Sequence, residues 1–221
     1  MQLTHRALAL TALVVASAAS QATIVTLSFG GFSVGSGLGQ GLFVKQGSGN
    51  TFAGEIIASG NGTDNKFYCL SPDRPLNLPS TQRFQKTLVK SYTEGASTIY
   101  AGSAMANLST TGNVGRASRQ LGLWLAAGKV VADYSVWNGT TALNLSSAIT
   151  PANAYVASGA YTTLNTSTAK EFWLYEPVDS NDKVITSIQS LASEAVPEPM
   201  TLALGAAGLV GAVRRRRSRR A

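Results

Sequence analysis

The side chains that carry most active-site chemistry are almost missing from this 221-residue chain. It has one histidine, His5, and one cysteine, Cys69. His5 lies in an N-terminal segment that export removes (argued below), so the mature protein has no histidine. Ser-His-Asp and Cys-His nucleophiles and histidine metal sites are thereby excluded, and a single cysteine excludes an internal disulfide. Charge is scarce as well, with Asp, Glu, Lys and Arg making up 13% of the chain. The acids stand singly, as at Glu55, Asp73, Glu94, Glu171 and Glu176, and sequence alone does not pair any two of them as a glycosidase would need. The DSND stretch from Asp179 to Asp182 lacks the length and glycine of a calcium loop and reads as a polar turn. No cofactor or metal is expected, and the chain does not read as a turnover enzyme.

Acidic balance is lacking only at the two ends. A net charge of +7 and a pI near 9.8 ordinarily point to nucleic acid. Here seven of the 18 basic residues are Arg6 and six arginines at the C-terminus, which leaves 11 Lys and Arg against 10 Asp and Glu in between. The charge reports targeting, and nucleic acid is excluded as a partner.

Residues 1–22 read as a signal peptide. His5 and Arg6 form the basic region and Ala7 to Val15 the apolar region. Ala16-Ser17-Ala18 is a cleavage site, with Ser20-Gln21-Ala22 as a second. The apolar part is too short for a membrane span. At the other end, residues 196–221 read VPEPMTLALGAAGLVGAVRRRRSRRA. Pro197 and Pro199 hold the peptide around Glu198 extended. The uncharged run from Met200 to Val213 has 14 residues. As a helix it covers roughly 21 Å, short of the roughly 30 Å hydrocarbon core. Arg214, Arg215, Arg216 and Arg217, followed by Arg219 and Arg220, form a basic stop that stays on the cytoplasmic side.

The order of motif, short apolar helix and arginine cluster resembles the PEP-CTERM sorting signal of Gram-negative bacteria. The resemblance implies transient membrane insertion through the C-terminal helix and processing by an exosortase, a membrane protease. It also implies an inner-membrane intermediate, then release to the cell envelope or an extracellular polysaccharide (biofilm) matrix.

Residues 23–195 remain as a single exported domain, large enough for its own core. Strands are predicted at Thr23 to Phe29, Gly41 to Lys45, Thr51 to Ser59, Asn65 to Leu70, Val130 to Val136, Lys170 to Glu176 and Lys183 to Leu191. Gly30 to Gly41 reads as turns, Asn61-Gly62 as a hairpin turn, and Ser71 to Ser80, with three prolines, as loop. Thr81 to Tyr92 is ambiguous between helix and strand. Helices are predicted at Gly95 to Leu108, at Val114 to Ala127 with Gly128 as the terminating residue, and at Pro151 to Leu164. The expected fold is α+β: a β-rich, sandwich- or barrel-like domain with an inserted helical layer. The aromatics of KEFWLYE alternate as core on one face of a strand, an alternative to stacking on sugar rings.

The predicted helix reading VGRASRQLGLWLAA places Gln120 and Trp124 on one face, one turn apart, among apolar residues on nearly every other side. A buried amide requires a partner. Cys69, in FYCL, has apolar neighbours at a strand end. One reading makes Cys69 an inert buried thiol, Gln120 a backbone-bonded helix residue and Trp124 plain core. The other comes from a resemblance. Tyr68-Cys69-Leu70 and Gln120-Leu121-Gly122-Leu123-Trp124 are similar to the motifs of bacterial surface-adhesin thioester domains, although Arg119 and Gly122 depart from that pattern. The resemblance implies that Cys69 displaces ammonia from the Gln120 amide to form an internal thioester, with Tyr68 and Trp124 shielding it. Amines or hydroxyls on a surface then attack it once, without turnover. The expected alternative is a non-covalent structural or carbohydrate-associated matrix protein.

Overall fold

Thr23–Phe29 alternates polar and apolar residues and forms β1, turning Leu27 and Phe29 into the core. The structure is a computed structural model that describes residues 22–31, 38–46, 49–60, 66–108, 111–129, 134–136, 145–158 and 167–195. The signal segment, the sorting tail and the Asn61-Gly62 turn lie outside the described residues.

The next strands are β2 (Leu38–Gln46), β3 (Gly49–Gly60), β4 (Lys66–Cys69) and β5 (Ser80–Val89). A small hairpin follows, β6 (Tyr92–Glu94) and β7 (Ser97–Ile99). Helices α1 (Ala101–Asn107) and α2 (Gly112–Ala126) precede β8 (Tyr134–Val136). Helix α3 (Leu145–Ala157) leads to β9 (Phe172–Pro177) and β10 (Leu191–Glu194). All strand pairings among the described residues are antiparallel. Neighbours run β1, β5, β9, β10, β4, β3, and pairing of β1 with β3 closes a six-stranded barrel. Strands β2 and β8 continue the sheet beyond the first half of β3.

Side-chain alternation sorts the wall into two faces. Leu27, Phe29, Phe67, Cys69, Phe84, Tyr175 and Leu191 share one buried cluster. Its aromatic pairs Phe29–Phe84 and Phe67–Tyr175 meet edge to face at 6.0 and 4.9 Å between centroids. Tyr68, Leu70, Phe172, Leu174 and Ala192, one step along the same strands, join a second cluster with Ile99 and Met105 under α1. Helix α2 lies against β2, β3 and β4 and carries residues into both clusters; α3 packs on α2. The helical layer therefore sits in the chain between β7 and β9, as expected. Among the described residues no helix is long and apolar enough to cross a membrane.

Several boundaries differ from those predicted. The predicted helix at Gly95 to Leu108 begins only at Ala101. Gly95, at a φ of 58°, makes the turn of the β6–β7 hairpin, and Ser-Thr-Ile suits a strand. Thr81 to Tyr92 resolves mainly as strand β5 because β1 and β9 pair with its two edges. Helix α3 starts six residues before Pro151, so the proline lies inside it rather than in its first turn. Ala148 and Ala152 pack into the core, which outweighs the missing donor. Residues 183–190 form no strand beyond a bridge between Val184 and Val178; the strand begins at Leu191. Strand β2 starts at Leu38 and takes in Gly39 and Gly41 from the stretch read as turns. The DSND stretch is a polar turn: the Asp179 carboxylate accepts from the backbone N–H groups of Asn181 and Lys183, and Arg83 bonds to the Asp179 carbonyl.

Candidate functional site

Strand β4 is only four residues long, and its pairing with β3 stops at Ile56 opposite Phe67. On the other edge Cys69 sits opposite Leu191, while Leu70 donates to the Ser190 carbonyl. The backbone N–H and C=O of Cys69 meet the side chain of Gln120 on α2. The Cys69 N–H donates to Gln120 Oε1 at 2.8 Å, and Gln120 Nε2 donates to the Cys69 carbonyl at 2.6 Å. The amide thus stands in for a neighbouring peptide group, and both of its polar atoms are satisfied. Gln120 is 0% exposed and Cys69 2%.

One turn along α2, fully buried Trp124 packs in the same cluster as Cys69, and its side chain and the Ser71 backbone favour the thiolate. Burial nevertheless dominates and pushes the Cys69 thiol well above its ordinary range. Three of the four residues singled out in sequence therefore meet. Tyr68 points to the other face of β4, into the second cluster. Its hydroxyl accepts from Arg116 Nη1 at 3.2 Å, and the Arg119 guanidinium lies 5.4 Å from its ring.

These arginines belong to an ionic layer that sequence reading did not single out. Arg116 pairs with buried Glu55 of β3 at 2.7 Å, and Lys66 lies 3.7 Å from the same carboxylate. Arg119 is buried, pairs with Glu194 of β10 and donates to the Leu108 carbonyl. A signal existed, since Glu55 interrupts the apolar run AGEIIA and such a carboxylate requires a buried partner. Gly39 is needed beside it, because a Cβ there would meet Glu55 Cβ at 2.8 Å.

Next to Cys69 a cavity of about 420 Å³ opens between the 72–78 loop, β2 and β3. Leu38, Phe52, Ile56, Leu76 and Leu78 supply much of its wall, with Cys69 itself part of the lining. The loop is pinned at several points. Arg74 pairs with Glu94 at 2.9 Å, Ser71 donates to the same carboxylate, and Lys129 pairs with Asp73. Gln189 reaches it twice, through its backbone N–H to the Pro75 carbonyl and its side chain to the Ser71 carbonyl. That use of 189–190 is the reason the predicted last strand starts late. Among the described residues no three His, Cys, Asp or Glu side chains gather as a metal site would require.

Pro197, Glu198, Pro199 and Arg214 to Arg217 lie outside the described residues. No curated protein and no solved structure matches the chain. One family model does, the PEP-CTERM protein-sorting motif, over residues 195–217. The chain carries that motif directly after its last barrel strand, and is exported through the membrane to the cell envelope as an exosortase substrate.

Proposed function

We propose that the exported domain is a single-use acyl donor that attaches covalently to a surface through a Cys69–Gln120 thioester. The observation carrying this reading is the pair of hydrogen bonds that holds the Gln120 amide against Cys69, across 51 residues of sequence. In the bond-forming step Cys69 Sγ adds to Gln120 Cδ and the C–N bond breaks. The thiol proton leaves on Nε2, so ammonia departs. Neutral thiol and neutral amide give neutral thioester and neutral ammonia, so a low-dielectric site does not oppose the net change. In the attachment step a nucleophile adds to Cδ, the C–S bond breaks and the proton passes to sulfur. Burial keeps water from the acyl group until then. Gln120 is the acyl donor, Cys69 the leaving group and Trp124 the lid over the sulfur. There is no turnover, and the destination after sorting is the envelope surface or its surrounding polysaccharide matrix.

Intact mass of the mature, exported protein tests this. The expected mass is one ammonia below that of the sequence, restored to full mass by Cys69→Ala apart from that substitution, and converted to an adduct by methylamine. A full mass with a free thiol removes the proposal. It would leave a second reading, favoured by the amide's complete satisfaction: Gln120 is a structural pin, and the domain serves as a non-covalent matrix protein.

A further inference from the structure

We infer that the cavity beside Cys69 is a binding site in its own right, taking a neutral, unbranched aliphatic chain of medium length without forming a bond to it. Binding there does not depend on the acyl-donor reading. The cavity holds about 420 Å³, within the range of small-molecule sites. Its apolar walls come from two places: Leu38, Phe52 and Ile56 stand on β2 and β3, and Leu76 and Leu78 on the 72–78 loop. Phe52, Leu76 and Leu78 are only half-buried, so a chain laid between them removes apolar surface from water on both sides. The Phe52 ring packs against Phe43 at 5.1 Å between centroids and rests on Gly41 and Gly54, whose missing side chains leave it room.

The loop wall is held from outside rather than by side chains filling the space. Arg74 to Glu94, Lys129 to Asp73, and Gln189 to the Ser71 and Pro75 carbonyls fix it, and Pro72 and Pro75 stiffen it. A site already open in the free protein loses little to ordering itself around a ligand. The same pairs set the ligand's chemistry. The lining has one acid, Asp73, and one base, Arg74, each with its own partner, so neither an anionic nor a cationic head finds a free counter-charge. The Gln189 side chain donates to the Ser71 carbonyl, and a sugar finds few partners for its hydroxyls. An aliphatic chain requires none.

The test is isothermal titration calorimetry of the mature, exported protein with methyl hexanoate, methyl octanoate and methyl decanoate, which are neutral and carry no nucleophile for an acyl group. Affinity is expected to tighten by up to about fourfold per added methylene. Octanoate, octyltrimethylammonium and glucose are expected to bind at least about tenfold more weakly than methyl octanoate. Leu76→Trp, checked for folding by circular dichroism, fills the cavity and is expected to abolish binding. Leu76→Ser keeps the space but loses apolar wall, and is expected to weaken binding of every ester. No binding to the folded protein, an affinity that ignores chain length, octanoate binding as tightly as methyl octanoate, or unchanged binding in folded Leu76→Trp protein overturns the inference. The intact mass is expected to be the same before and after titration, which separates this site from acyl transfer. A full unmodified mass at the outset removes the acyl-donor reading and leaves the binding site standing.

Discussion

At the scale of single residues, Gln120 binds a strand to a helix through two hydrogen bonds in a dry site. In a Cys69→Ser background, which removes the thiol chemistry, Gln120→Leu leaves the residue-69 N–H and C=O without this partner. A loss of about 2–4 kcal/mol is expected, read as a drop of roughly 5–15 °C in melting temperature. The thiol gives a second prediction. Its raised pKa means that the free-thiol protein has the associated stability in full below the ordinary value of 9.0. That stability is lost as pH rises from there toward the raised value, because the unfolded thiol ionises first. Between about pH 9 and 10 the expected loss is at most ~1.4 kcal/mol relative to Cys69→Ala. Denaturant midpoints at the two pH values measure it. Tyr68 and Tyr92, also raised by burial, occur in both proteins and cancel in the comparison.

At the scale of elements, the ionic layer between β3 and α2 fixes how the helix presents Gln120. Arg116 lies one turn before Gln120, so its pair with Glu55 anchors the same face. Glu55→Ala strands the Arg116 charge, which keeps some solvent contact. The expected cost is about 2–3 kcal/mol, below that of a wholly buried pair, and urea unfolding is the measurement. Sequence made α2 legible because its own signals agree: apolar residues on several sides and Gly128 after its end, at a φ of 76°. Strand β1 was legible for the same reason, with Val25, Leu27 and Phe29 alternating with Thr26 and Ser28. The end of α2 followed from local pattern, whereas the hydrogen bonds of Gln120 to the Cys69 backbone and the ionic layer depend on which strand meets which helix. Gly95, Pro151 and Gln189 mark where local pattern misled. Their roles are set by a hairpin partner, by packing of α3 on α2, and by a loop more than 100 residues away. Gly122 is placed by an equally non-local contact, since the Leu108 side chain occupies the space its Cβ would take.

For the whole molecule, barrel closure depends on β10, only four residues long and flanked by β4 on one side and β9 on the other. A chain ending at Ala195 is expected to fold with a cooperative thermal transition. One ending at Ser190 loses both ladders and the Glu194–Arg119 pair, and is expected to melt without cooperativity by circular dichroism. The sorting motif match starts at residue 195, and Pro197 is at most about 11 Å of chain from Glu194. The sorting motif therefore follows the closing strand of the barrel directly in sequence. A pull applied lengthwise along β10 would load the hydrogen bonds on both its edges in shear, together rather than one after another. The strand that leads into the sorting motif is thus also the one that closes the barrel.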